Sequence, residues 1–343
     1  MKNGIIKKAI KSMARRYMLL LNEEQIKRNR VLKRVLGANE VETTVYRKFG
    51  LRLAENFDAV TKKIAANRKA MIIKHGEWSN KYFNVACLTN TLSLILYSLS
   101  NGYIPVIEIN KGEDNFFQWN WFFRQPYEII CPEGIELFST IECDVDRIPY
   151  TGGWETYLDR NNVDYEIWHF LFKTFVSLND NTAAYVAKEE RTLRIDYEKT
   201  LGVLVRGTDY VSLKPCGHPV QPELDKIIAA VEDRISKKDV KVYLATEEER
   251  IWKAFQDRLG ENRILVNSRT YYDSLYKDGM LIGEVHFDRD KDNYWKSIEY
   301  LSSLIILSRC HSLIAGNCGG TKFAMLLSDS YIHPFVFKNG YYL

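Results

Sequence analysis

The sequence lacks paired cysteines. Its six, Cys87, Cys131, Cys143, Cys216, Cys310 and Cys318, form no C-x-x-C, which excludes zinc knuckles and thioredoxin-like chemistry and suits reduced thiols in a cytosolic setting. It lacks a dominant charge: 48 Lys and Arg stand against 44 Asp and Glu, leaving +4, too little for a protein that coats nucleic acid. It lacks an apolar run near the ~20 residues of a spanning helix, since the best stretch, 85–99, is interrupted by Thr89, Asn90, Thr91 and Ser93. The first residues contain no h-region of a secretory signal. His75, His169, His286, His311 and His333 show no metal-ligand spacing, and there is neither an internal repeat nor a low-complexity linker. What remains is 343 residues that are 46% hydrophobic and 13% aromatic, which rules out disorder along the whole chain and suits two domains.

Residues 1–68 contain no proline and are rich in Lys, Arg, Glu, Leu and Ala, so they read as helical throughout. Within 1–22 there are six cations and no acid, while Ile6, Ile10, Met13 and Tyr17 recur at three- and four-residue steps. That pattern suits a helix lying on an anionic membrane surface, or an amphipathic helix docked on the protein itself. A helix over 84–100 stops at Asn101-Gly102 and is followed by a strand over 104–109. The aromatics Phe116, Phe117, Trp119, Trp121, Phe122, Phe123 and Tyr127 read as a local core in preference to a sugar-stacking platform. The run 188–191 reads as solvated and marks a boundary near 190–200. The expected organisation is a basic helical extension over 1–68, an acceptor-side α/β domain over 69–195 and a nucleotide-binding Rossmann-like domain over 196–343.

In the second half, strands over 201–205, 240–245, 264–266 and 312–315 alternate with helices over 221–237, 247–259 and 293–308 and from Thr321. This predicts a doubly wound parallel sheet. Ligands bind beyond the carboxyl ends of such strands, so loops 206–220, 245–248, 267–288 and 316–321 converge on one crevice. Arg206 directly follows a buried strand, where a guanidinium can fork two donors onto a phosphate. Gly207 permits close backbone approach, Thr208 follows it, and Asp209 either orients Arg206 or acts as a base; the alternative is a surface Arg–Asp pair. Asn317, Cys318, Gly319, Gly320 and Thr321 feed a helix N-terminus suited to a diphosphate, although neither G-K-[ST] nor G-x-G-x-x-G is present. Ala245, Thr246, Glu247 and Glu248 end a strand with carboxylates that either cap the next helix or accept from a guanine base. Asp288 to Glu299 has the twelve-residue spacing of a calcium loop, but Arg289 and Lys291 cancel its charge, so a polar loop and helix cap is preferred.

Taken in this order, these pieces resemble the GDP-fucose-dependent fucosyltransferase superfamily, in a bacterial-type member related to its α1,2-, α1,6- and protein O-fucosyltransferases. The resemblance is best over 201–327. The strand and H-x-R-R-[TG]-D motif is similar to Leu204 to Asp209, the V-Y-L-A-T-acid-acid motif to Val242 through Glu248, and the long helix, strand and phosphate loop to Lys296 through Thr321. Phe83-Asn84 resembles the F-G-N segment. The resemblance implies a GT-B fold, with two Rossmann-like domains and the donor in the second. It implies inverting transfer of L-fucose from GDP-β-L-fucose to a glycan or glycolipid hydroxyl, without an essential metal or a cofactor beyond the donor.

Arg206 and Asp209 are then the catalytic candidates. Asn84, Gly207, Thr208, Ala245, Thr246, Glu247, Glu299, Asn317, Cys318, Gly319, Gly320 and Thr321 would bind donor, with Asn84 across the cleft. The chain departs from the family at Leu204 (His in the family), Gly207 (the second Arg), Lys214 (the Glu base of the α1,6 branch), and Asn317 and Cys318 (serines). Alternatives are a transferase for another sugar nucleotide and a catalytically silent nucleotide- or glycan-binding protein. The expected setting is cytoplasmic, peripheral on the inner face of the plasma membrane if 1–22 touches lipid.

Overall fold

In the computed structural model, the described residues are 2–74, 81–137, 139–143, 148–151, 156–236, 240–277 and 279–343, with side chains from residue 6 onward. His75, at the start of the gap before 81, and Lys237, the expected end of one helix, lie outside them. The chain divides into two units, each assembled from separated segments: Met1–Lys74, Thr89–Ile107 and Gln125–Leu171 make the first, and His75–Leu88, Glu108–Arg124 and Phe172–Leu343 the second. The expected contiguous segments are therefore interleaved, and the division falls within the helices Val85–Ser100 and Val163–Phe175.

The first unit begins with the helical region that its composition calls for, cut into helices Lys2–Leu20, Glu23–Arg28, Arg30–Leu36, Ala38–Glu55 and Phe57–Ala65. Asparagines make the first two breaks: Asn22 and Asn29 each accept from backbone N–H groups of the turn that follows, satisfying donors a helix start leaves open, while Gly37 makes the third. Met18, with Ala14 and Leu21 beside it, packs on Ile26, Leu32, Leu36, Val41 and Val45. A parallel sheet follows, of β1 (Lys69–Ile73), β2 (Ile104–Ile107) and β3 (Ser139–Glu142) in the order β2-β1-β3. β1 and β3 were not foreseen. β1 follows a helix with neither Pro nor Gly between them, and β3 is exposed along its whole length, so it carries no apolar alternation. Asp164 is buried and takes both prongs of Arg47 at 2.6 Å and the Tyr150 hydroxyl at 2.5 Å. Burial pushes its carboxyl up, but these donors prevail and hold it below the usual range.

The second unit is built on a five-stranded, wholly parallel sheet: β4 (Thr200–Leu204), β5 (Lys241–Ala245), β6 (Ile264–Leu265), β7 (Ser312–Gly316) and β8 (Phe335–Phe337), in the order β6-β5-β4-β7-β8. The chain starts in the middle, winds outward to β6, then returns past β4, so the winding reverses between β4 and β7. Strand alternation decides what lies on each face. Leu201, Val203 and Val205 pack with Ile227, Ile228 and Val231 of the helix Leu224–Ile235 and with Ile251 and Phe255 of the helix Glu249–Leu259. Gly202 and Leu204 turn to the opposite face, where Leu307 and Leu304 of the helix Asp292–Arg309 lie. The aromatic segment is a core, as expected: Phe117, Trp119, Phe122 and Phe123 are buried, and Phe83 meets Phe117 edge-on at 5.7 Å.

One expectation needs correction. The run 188–191 is only partly solvated: Lys188 and Arg191 are exposed, but Glu189 is buried. It lies in the helix Asp180–Leu193, and the Glu189 carboxylate accepts from the Ser268 N–H at 2.7 Å. Both sheets are parallel, and for the second the alternation of strands and helices predicts it.

Candidate functional site

β4 and β5 end level, with Leu204 opposite Ala245, and Ala315 of β7 lies opposite Leu204 on the other side. Whatever follows these three residues is delivered to the same place. Leu204, Arg206, Ala245, Thr246, Glu247, Cys318 and Gly320 line one small pocket, together with Arg269 from the loop after β6 and Tyr300, Ser303 and Leu304 from the helix Asp292–Arg309. Three loops that look separate in the sequence thus meet at the reversal of the sheet. The pocket holds about 20 Å³, the room of a single water.

Arg206 is held between two carboxylates. Its Nη2 donates to Asp209 Oδ1 at 2.8 Å and its Nη1 to Glu247 Oε1 at 3.0 Å, and the guanidinium lies 5.1 Å from the Tyr210 ring centre. The side chain is 17% exposed, so it does not stand in a wet crevice. Burial alone would lower its pKa; Glu247 and Asp209 outweigh burial and raise it well above the ordinary value. Asp209 is itself committed, with Oδ1 taken by Arg206 and Oδ2 accepting from the Ile282 N–H at 3.3 Å. In this arrangement it orients the arginine.

The loop between β4 and the short helix Thr208–Ser212 wraps around two carboxylates. The Gly207 N–H donates to Glu247 Oε1 at 3.2 Å, the Thr208 N–H donates to Glu248 Oε1, and the Thr208 hydroxyl reaches Glu247 Oε1 at 3.2 Å. Successive N–H groups of this kind form an anion-binding nest, and here the protein's own carboxylates occupy it. Gly207 is required for that reason: a Cβ there would fall 1.9 Å from Glu248 Oε1. Thr208 has φ of 43°, a left-handed conformation that a β-branched residue adopts only under constraint. Burial, and then the charge of Glu247, pushes the Glu248 carboxyl above the usual carboxylate range against the opposing pull of Thr208 and Arg250. Glu248 also lines a second, open pocket of about 480 Å³ with Thr208, Val211, Ser212, Arg250, Asp273 and Tyr276.

In the third loop, Cys318 is the residue before the helix Gly319–Leu327. Its thiol lies 3.5 Å from the Thr321 hydroxyl, and burial pushes its pKa up, so it stays protonated. The Thr321 hydroxyl donates to the Gly316 carbonyl at 2.5 Å, and the Asn317 carbonyl accepts from Gln221 Nε2 at 2.7 Å. Gly316 admits that carboxamide, since a Cβ there would lie 2.3 Å from Gln221 Oε1. Gly319 lies beside Val85.

Two expected donor-binding residues have other duties in this structure. Glu299 sits next to Tyr300 on the helix, but its carboxylate is taken: its Oε1 accepts from Arg289 Nη1 at 2.6 Å and its Oε2 from the Thr270 N–H at 3.2 Å. Asn84 starts the helix Val85–Ser100 by accepting from the Cys87 N–H at 2.8 Å, and it belongs to the same unit as the crevice. Lys214, at the position of the family base, is exposed with a left-handed φ of 46°. In the calcium-like segment, Asp292 and Glu299 both hold Arg289. Among the described residues no group of three His, Cys, Asp or Glu side chains is placed to hold a metal ion.

Arg269 was missed. It stands four residues beyond the end of β6, whereas Arg206 stands two beyond β4. The sequence signal was the same in kind, an arginine in a loop after a parallel strand, but the two-residue strand gave it little weight.

No protein-family profile matches the chain, and no curated protein sequence is similar to it. In fold it is similar to GDP-fucose-related transferases of solved structure. Fucosyltransferase NodZ from Bradyrhizobium is 14% identical with a TM-score of 0.46, covering 76% of this chain and 94% of its own. POFUT1, solved in complex with GDP, is 10% identical with a TM-score of 0.45, covering 78% and 98%. FUT1 of Arabidopsis thaliana, also solved with GDP, is 10% identical with a TM-score of 0.44, covering 84% and 77%.

Proposed function

We propose that the chain is an inverting glycosyltransferase that moves L-fucose from GDP-β-L-fucose to a glycan or glycolipid hydroxyl, with no metal in the reaction. The observation that carries this reading is the convergence, in one pocket at the reversal of a parallel sheet, of the three loops whose sequences resemble the donor-binding motifs. The diphosphate would lie where Arg206 now meets Glu247, between that arginine and the start of the helix Gly319–Leu327, whose dipole favours negative charge. The 480 Å³ pocket beside Glu248 and Asp273 has the volume of a small-molecule site and would take the nucleoside.

The chemistry follows from an exchange of partners. As the bond from the anomeric carbon to the β-phosphate oxygen breaks, negative charge grows on that oxygen, and Arg206 stabilises it once it has turned from Asp209 to the phosphate. Asp209 Oδ1 is then free of the arginine and able to accept the proton of the attacking hydroxyl. The same exchange explains how a site closed around its own arginine can be opened by its ligand.

A second reading, a silent nucleotide-binding protein, is favoured by Lys214 at the position of the family base. A thermal-shift panel of sugar nucleotides followed by a GDP-release assay separates them. A ligand at 100 times its Kd stabilises by about 2.7 kcal/mol. Stabilisation by GDP-fucose with GDP release supports transfer, stabilisation alone supports the silent protein, and a response to UDP-sugars only supports a different donor.

We further propose that the protein works on the anionic inner face of a membrane, held peripherally by its first helix. Ile6, Ile10, Met13, Tyr17 and Leu20 are 55%, 43%, 63%, 51% and 83% exposed, because the helix docks through a different stripe, Ala14 and Met18. Among the described residues no helix is long and apolar enough to cross a membrane. Deletion of 1–22 is expected to abolish pelleting with anionic vesicles, as is raised salt for the intact chain. Equal pelleting with and without the segment refutes the contact.

A further inference from the structure

The crevice contains a cation that the chemistry above does not use. Arg269 lines the same pocket as Arg206, but its surroundings differ. Arg206 is held by two carboxylates. Among the described residues Arg269 makes no hydrogen bond or ion pair, and its Nε is buried without an acceptor. Buried guanidinium donors are rarely left so.

The local structure explains why no carboxylate reaches it. Two acids from flanking helices are committed to the backbone on either side of it, Glu189 accepting from the Ser268 N–H and Glu299 from the Thr270 N–H, while Asp273 of its own loop accepts from the Glu249 and Arg250 N–H groups and Glu247 of the pocket from Arg206. Glu299 also holds Arg289, whose Nη1 donates to the Thr270 hydroxyl at 3.0 Å, and Asn267 Nδ2 donates to the Glu299 carbonyl at 3.0 Å. The loop is thus pinned before and after Arg269 by groups that do not neutralise it.

Charge gives the arrangement a consequence. Arg206 with Asp209 and Glu247 carries one net negative charge, which would repel an incoming diphosphate. Arg269 cancels it. We infer that Arg269 is an anion-binding residue of this crevice, donating to the diphosphate of a nucleotide while Arg206 is still held by its carboxylates. Arg269 would meet the ligand first, and the arriving phosphates would then draw Arg206 from Glu247. The inference rests on the crevice being a nucleotide-diphosphate site.

The test is calorimetric titration of GDP, UDP, inorganic pyrophosphate and guanosine into the wild-type chain, R269Q and R269K, at low and moderate salt. The R269Q variant is expected to bind GDP and pyrophosphate about 10- to 100-fold more weakly, the range of a hydrogen bond to a charged group, with guanosine unchanged and a shallower dependence on salt. Wild-type affinity for both diphosphates in R269Q overturns the inference. If R269Q melts below the titration temperature, R269K takes its place: a wild-type Tm with at least threefold weaker pyrophosphate binding supports the role, and unchanged binding overturns it. The two levels fail separately. Wild-type binding of UDP in place of GDP, with UDP lost in R269Q, removes the GDP-fucose reading and keeps Arg269; no binding of any diphosphate removes both.

Discussion

Gly207→Ala tests whether the nest around Glu248 is built as described. The added methyl would lie 1.9 Å from Glu248 Oε1 and 2.5 Å from its Cδ, so one of the two must move. The carboxylate has little freedom: the residue is 3% exposed, bonded to the Thr208 N–H and paired with Arg250. Forcing an extra methyl into such packing costs about 1–3 kcal/mol. Loss of the hydrogen bond from Thr208 adds about 1.5–3 kcal/mol, while the Arg250 contact, 63% exposed on the arginine side, adds little. A total of about 2.5–6 kcal/mol corresponds, at roughly 2–4 °C per kcal/mol for a unit of this size, to a fall in Tm of at least about 5 °C. The assay is thermal unfolding of wild type, G207A, E248A and the double variant. Removing the Glu248 side chain removes the obstacle, so the double variant should lose at least about 1 kcal/mol less than the sum of the singles. Strictly additive losses, or a G207A variant that melts with the wild type, would refute the placement of Glu248 over Gly207.

Two further outcomes follow from the same groups. Arg206→Lys keeps the charge but loses the fork, so it should melt within a few degrees of wild type and transfer about 10²-fold more slowly, whereas Arg206→Met leaves Asp209 and Glu247 without their cation and should cost about 3–5 kcal/mol; equal transfer per folded molecule in the Lys variant would reduce Arg206 to a brace. The Glu248 carboxyl titrates above its unfolded value, so the folded state binds the extra proton between the two and stability falls as pH rises through that window. The gain in Tm of E248Q over wild type should therefore be largest near neutral pH and shrink as pH falls toward about 4.5, the ordinary value; a difference independent of pH would contradict it.

The second unit was far more legible in the sequence than the first, for a physical reason. Strands β4, β5 and β7 are buried on both faces and read as apolar runs next to polar loops, and their ends located Arg206, Thr246 and Cys318 to within a residue of the pocket. The strand β8 has three residues, and β3 is wholly exposed, so neither carries a pattern to read. What the sequence could not convey is which partner each polar side chain chooses. Glu299 and Asn84 have the residue types of a donor site, yet one pins the Arg269 loop and the other caps a helix. For Arg206 the sequence offers a phosphate or a pair with Asp209, whereas it lies between two carboxylates, one of them 41 positions away. Pairing across such distances is set by the order of strands in the sheet, which local pattern does not contain.

The most direct measurement of the central claim is calorimetric titration of GDP into the full chain in excess chelator, with UDP as the comparison. If Arg206, Arg269 and the start of the helix Gly319–Leu327 make a metal-independent GDP site, GDP binds with the chelator present, binds more tightly than UDP, and loses affinity as salt is raised. Binding that disappears with the chelator, or that favours UDP, would contradict it.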